Sequence, residues 1–175
     1  MLLRHGDADR AIVVGVESSL HPAFIQSFRR LGVLAAPGEP CRPMDRNRGG
    51  FLLSEAAAAV CLERRPAKPG EIVLDGYALG GDASHLTRSN PQAETLKYCL
   101  ARVVAGRAVD LIHAHATGTI TNDPAELAAI DATVATVADQ PRRPLLYSHK
   151  GAIGHSMGAS GLVATVLNVI GHQTG

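Results

Sequence analysis

The chain has 175 residues, 46% of them apolar and 19% charged, the balance of a globular protein with a real core rather than of a disordered segment. A net charge of +1, scattered Lys and Arg, and only three Phe and three Tyr exclude a basic nucleic-acid surface or a base-stacking platform. Charged residues Arg4, Asp7, Asp9 and Arg10 leave no apolar leader core, and no run is long enough to span a membrane, so the expected location is cytoplasmic.

In chain order, the β-branched run Ala11 to Val16 predicts a strand buried on both faces. Pro37 to Gly50, rich in Pro, Gly and charge, predicts a loop. From Phe51 to Glu63 an apolar run resumes; its alanines favour a helix, its ends favour a strand, and the reading adopted is a long strand or strand pair. Pro66 and Pro69 mark a boundary, giving one unit over 1–65 and a second over 66–175. The second unit alternates: a strand over 72–79, a helix over 92–105, a strand over 109–113, a helix over 123–138, a strand over 144–147 and a helix over 159–170. That alternation predicts an α/β architecture with a mainly parallel sheet covered by helices. Asp123 as N-cap, Pro124 at the first helical position and Glu126 at the third form a predicted capping box. The last helix carries no charge, which predicts burial on every side.

Cys41, Cys61 and Cys99 are odd in number and widely spaced, with no C-x-x-C pair, so neither a disulfide framework nor a structural zinc site is predicted. Two histidine loops carry the chemistry. His113 and His115 lie in a run ending Ala116-Thr117-Gly118-Thr119, and His155 lies in the run from Ser148 to Gly161; each loop follows a predicted strand and precedes a predicted helix, where ligand sites are built. Gly154-His155-Ser156-Met157-Gly158 matches the G-x-S-x-G elbow of serine hydrolases, but no Asp or Glu follows Asp139 to complete a triad. His113 and His115, with His155, also form a possible zinc triad; the neighbouring Lys150 would repel the cation. Taken singly, His113 reads more readily as a satisfied core histidine than as a ligand.

One reading accounts for both loops. Ala114-His115-Ala116-Thr117-Gly118-Thr119 with Asn122, Asp123 and Glu126, and Ser148-His149-Lys150 with Ile153-Gly154-His155 and Gly158 to Gly161, resemble the two histidine blocks of the β-ketoacyl-acyl-carrier-protein synthases. Upstream, Gly6 to Asp9, Gly15 to Ser18, Cys41 to Asp45 with Gly50, Phe51 and Glu55, and Asp82 to Thr87 resemble further blocks of that family in the same order. The resemblance implies a thiolase-like layered α/β fold, a homodimer, and decarboxylative Claisen condensation of an acyl group with malonyl units carried by acyl carrier protein, in fatty-acid or polyketide synthesis. It implies no cofactor and no metal. By position, His115 and His155 become the two active-site imidazoles, Lys150 the family's lysine and Glu126 its carboxylate partner, with Thr117, Gly118 and Thr119 beside the substrate. Neutral imidazoles donating to the thioester oxygen would stabilise the enolate left by carbon dioxide.

The chain also departs from the family. No cysteine matches the nucleophile segment, which in complete members precedes the block matched by Gly6 to Asp9; the expectation is a portion of a longer protein that does not condense acyl groups alone. Ala116 replaces a glycine, Val14 and Ala56 replace glycines, and His149 stands where a small hydroxylated residue is usual. A non-catalytic partner resembling a chain-length factor is the alternative.

Overall fold

The computed structural model describes residues 2–84 and 90–175; His85, Leu86 and Thr87 of the Asp82 to Thr87 block lie outside the described residues. After a single turn, α1 (Leu2–His5), the strand β1 (Arg10–Glu17) pairs antiparallel with β2 (Ala56–Glu63), from Arg10 opposite Glu63 to Glu17 opposite Ala56. The ambiguous alanine run therefore resolves as a strand whose residues alternate inward and outward. Alanine's helix preference is worth only tenths of a kcal/mol per residue, less than a full ladder with β1 supplies.

Among the described residues only one face of this pair is covered. A 3₁₀ turn (Met157–Ala159) and the last helix, α6 (Ser160–Thr174), lie on the face that carries Gly15. A side chain at Gly15 would meet Ala159 Cα and Leu162 Cδ2 at 3.4 Å, so the missing side chain is what lets the helix approach. On the opposite face Ile12, Val14 and Val16 are exposed, and among the described residues nothing packs against them, which corrects the expectation of a strand buried on both sides. The prediction for α6 fails for the same reason: only Ser160 and Val163 are buried, while Leu167 and Ile170 face outward.

Between these strands lies α2 (Pro22–Arg30), an element the sequence analysis did not assign. His21 caps it, its imidazole accepting from Ala23 N at 3.3 Å, and Pro22 occupies the first turn. Phe24 and Phe28, one turn apart, stack edge to face at 4.9 Å, and Phe28 meets Phe51 at 5.9 Å.

In the second half, α3 (Glu94–Val104), β3 (Leu111–His113), α4 (Asn122–Val134) and β4 (Leu145–Tyr147) follow the predicted order, and β3 and β4 pair in parallel. The predicted strand over 72–79 is absent. Residues 71–83 join no ladder among the described residues, and an apolar run without a neighbouring strand has nothing to bond its backbone. The short α5 (Lys150–Ile153) precedes the 3₁₀ turn. Ala114, Ala116 and Ile130 form a buried cluster against Ile112 and Leu146, so the core lies directly under the first histidine loop.

Candidate active site

The loop leaving β3 is gripped from two sides. One carboxylate oxygen of Glu126 accepts from His115 N and the other from Ala116 N, both at 2.7 Å, and Asn122 Nδ2 donates to the second at 3.2 Å. From the other side Lys150 Nζ donates to His115 O at 2.5 Å, and Ser148 Oγ donates to Ala116 O at 3.1 Å. Both N–H groups and both carbonyls of this dipeptide are thus held by side chains from α4 and from the β4–α5 junction.

Two expectations are corrected here. Lys150 and Glu126 form no direct ion pair; the His115 peptide sits between them, and each charge is met by backbone dipoles. Nor does the capping box form. α4 begins at Asn122, its N-cap Thr121 makes no side-chain cap bond, and both carboxylates turn back into the loops. Asp123 accepts from Met44 N at 2.8 Å and from Gly118 N at 3.1 Å, and Glu126 holds the histidine loop. Buried backbone N–H groups of two other segments outweigh the orphan donors of the helix's first turn, which reach water.

This grip keeps Ala116 at φ +29°, in the left-handed region where an L side chain is strained and where the family motif carries glycine. Gly118, at φ +76°, allows a second close approach: a side chain there would lie 3.0 Å from Gly50 O, and Gly50 N donates to Gly118 O at 2.8 Å. Thr117 and Thr119 are buried, with their hydroxyls 3.0 Å apart, and Thr119 Oγ1 accepts from Asn122 N at 3.2 Å.

The second loop delivers His155 to the first. Gly154, at φ +78°, ends α5 and donates to Lys150 O at 3.1 Å; the chain then bridges to Leu53, His155 N donating to Leu52 O at 2.7 Å and Ser54 N donating to His155 O at 3.1 Å. The His155 ring packs edge to face against Phe51 at 5.0 Å and against His115 at 5.3 Å. Among the described residues its buried Nδ1 finds no hydrogen-bond partner. Beside His115 opens a cleft of about 300 Å³, bordered also by Asp82, Thr95, Cys99, Asn122 and Glu126.

Electrostatics keep the imidazoles uncharged. Burial, then the Lys150 ammonium, pushes His155 down to about 3. His115, open to the cleft on one side, is lowered by the same two causes but opposed by the carboxylates of Glu126 and Asp123. Lys150 is itself lowered, chiefly by burial, with Glu126 opposing. Cys41 is buried, its thiol raised by desolvation above all, and Sγ lies 3.7 Å from Thr117 O, the placement of a thiol donor rather than of a thiolate nucleophile.

The alternatives read from the motifs find no support in this geometry. Ser156 Oγ is buried, not presented on an exposed elbow. His113 does not share a face with His115 and His155; its ring pairs with His149 at 4.9 Å, and no metal-holding group of three occurs among the described residues. What the sequence analysis missed is this second imidazole pair, signalled only by His149 standing where the resembled family has a small hydroxylated residue.

Two edge-to-face imidazoles lie beside a buried lysine, on loops at the ends of neighbouring strands, and the fold that carries them is the thiolase-like fold of solved ketosynthases. The chain superimposes on the oxazolomycin ketosynthase domain of Streptomyces albus JA3453 with a TM-score of 0.81 at 28% identity, covering 97% of this chain and 32% of that one. The ishigamide ketosynthase/chain length factor matches with a TM-score of 0.73 at 33% identity, over 94% of this chain and 41% of that one. Residues 1–67 match the beta-ketoacyl synthase N-terminal domain and residues 72–174 its C-terminal domain, so the chain belongs to the beta-ketoacyl synthase family. The 3-oxoacyl-[acyl-carrier-protein] synthase 2 of Mycobacterium leprae is 34% identical over 94% of this chain and 42% of its own length. A 3-oxoacyl-[acyl-carrier-protein] synthase 2 of Coxiella burnetii is also 34% identical, over 97% and 44%. The chain therefore spans less than half the length of these relatives.

Proposed function

We propose that this site performs the decarboxylating half of a condensation. A malonyl thioester carried by acyl carrier protein enters the cleft beside His115, and its thioester oxygen takes N–H bonds from His115 and His155. As the C–C bond to the carboxylate breaks, carbon dioxide leaves and its electron pair becomes an enolate, whose oxygen those two donors stabilise. The enolate then attacks an acyl thioester, or takes a proton to give the acetyl thioester when no acyl group is present. The observation that carries the reading is the His115–His155 ring pair beside buried Lys150.

Proton placement is consistent with that role. An orphaned buried N–H is rarer than an orphaned acceptor, so the partnerless Nδ1 of His155 is the unprotonated nitrogen and Nε2 carries the proton that a substrate oxygen would accept. Glu126 acts by holding the loop, and Thr117, Gly118 and Thr119 flank the thioester. None of Cys41, Cys61 and Cys99 is assigned as the acyl-accepting nucleophile. The working form is a cytoplasmic homodimer, as the resemblance implies, serving fatty-acid or polyketide synthesis.

The test is release of labelled carbon dioxide from malonyl-acyl carrier protein by the chain, with H115A and H155A beside it. Loss of one oxyanion donor costs on the order of 100-fold in rate, so each variant should fall by about that factor. Release unchanged in H155A overturns the assignment. A second reading, a non-catalytic partner of the chain-length-factor kind, is favoured by the strained Ala116 in place of glycine; it predicts no release at all.

A further inference from the structure

We infer that His113 and His149 form a directional imidazole pair that positions Lys150, and through it the His115 carbonyl. Neither residue touches the substrate cleft, and their role is to place groups that do.

The direction of the pair follows from its ends. Asn168 Oδ1 accepts from Tyr147 OH and lies 2.8 Å from His113 Nδ1, so that nitrogen must donate. His113 Nε2 must then accept, and it faces two donors, His149 Nδ1 at 2.7 Å and the His149 backbone N–H at 3.3 Å. With Nδ1 donating, His149 Nε2 accepts, and Ser160 Oγ supplies its proton at 3.3 Å. Every member has one consistent role. A second proton on His113 would point at the fixed backbone N–H of His149, which together with burial disfavours the charged form.

The pair ties together four elements: His113 ends β3, Tyr147 ends β4, His149 is the N-cap of α5, and Ser160 and Asn168 stand on α6. Its two rings sit next to the groups that matter in the chain. His149 precedes Lys150, and its carbonyl accepts from Ala152 N and Ile153 N, fixing the turn from which the lysine side chain departs. His113 precedes His115 by two residues. Lys150 Nζ then closes the circuit on His115 O. The charged and titratable groups facing His149 are Lys150, His113 and His115, and with burial they hold it at about 4, uncharged under ordinary conditions.

The kinetic arm of the test rests on the condensing function proposed above; the spectroscopic arm does not. Nitrogen-15 spectra of the imidazoles in the unaltered chain should show His113 and His149 both protonated at Nδ1; a proton on His113 Nε2 overturns the inference. H149F removes the donor and keeps the ring shape, whereas H149N places an amide N–H where Nδ1 was. In H149F the titration midpoint of His115 should rise, because the ammonium beside it is displaced, and carbon dioxide release should fall by roughly 10-fold in kcat with KM within about twofold. H149N should restore both. An unmoved His115 midpoint in folded H149F, or H149N failing as H149F does, overturns the inference. If the unaltered chain releases no carbon dioxide, the decarboxylation reading falls while the midpoints still decide this one.

Discussion

Replacing Glu126 with alanine tests the grip on the histidine loop. The carboxylate accepts two 2.7 Å bonds from consecutive backbone N–H groups. Ala116 is fully buried, so its N–H cannot turn to water when the carboxylate goes, and an orphaned buried donor costs about 1–3 kcal/mol. His115 is open to the cleft, so its N–H rehydrates in part and adds about 1–2 kcal/mol. Against this, freeing Ala116 from its left-handed conformation returns about 1 kcal/mol. The net expectation is a loss of about 1–4 kcal/mol in the stability of the chain to urea, with an unchanged m-value. E126Q keeps one acceptor oxygen but turns an amide N–H toward the second backbone donor, so its loss should be intermediate. Stability of E126A within about 0.5 kcal/mol of the unaltered chain, a shift typical of neutral surface changes, would refute the view that this carboxylate holds the loop.

Acid should destabilise the fold well above the usual carboxylate range. His155, at about 3, and His149, at about 4, take up protons only after unfolding, where an imidazole titrates near 6.5. The unfolded state binds more protons below that value, so stability declines as pH drops from about 6.5 toward 3. By pH 5 the two together should remove on the order of 2–4 kcal/mol; a flat stability between pH 7 and pH 5 contradicts their being buried and neutral. G154A should cost about 1–3 kcal/mol and displace His155, since an added Cβ would lie 2.9 Å from Leu52 O and from Ser54 Cβ at a backbone φ of +78°. Denaturant midpoints together with the His155 ring chemical shifts check both effects. Iodoacetamide should label exposed Cys61 well before buried Cys41, and mass spectrometry of a time course reads the order.

The histidine loops were legible because their chemistry is local: a run of small residues around His115 or His155 carries its meaning in the order of residues. Likewise β1, α3, α4 and β4 follow from apolar periodicity and breakers. What periodicity could not show was which partners are near. The run 72–79 has a strand's composition without a neighbouring strand among the described residues, and Ile12, Val14 and Val16 have a buried strand's composition with one bare face. α2 was missed for the opposite reason, since its Phe24–Phe28 stacking is short and its surroundings are rich in turn formers. The capping box failed at Asp123 and Glu126 because local helix rules ignore two distant loops whose N–H groups had no other acceptor.

The same arrangement explains why the two imidazoles are not equivalent. A direct ion pair would place the Glu126 carboxylate against the Lys150 ammonium and weaken its field on both rings. With the His115 peptide interposed, the ammonium acts on His155 with no carboxylate opposing it, whereas His115 feels Glu126 and Asp123 as well. His115 therefore takes a proton before His155 as the pH falls, and only its neutral ring matches the donor role proposed for it. The acid limb of carbon dioxide release should follow the titration of His115 seen by NMR, and E126Q, removing an opposing charge, should move that limb to lower pH. A limb that stays in place in folded E126Q would show that the carboxylate's charge does not reach the ring.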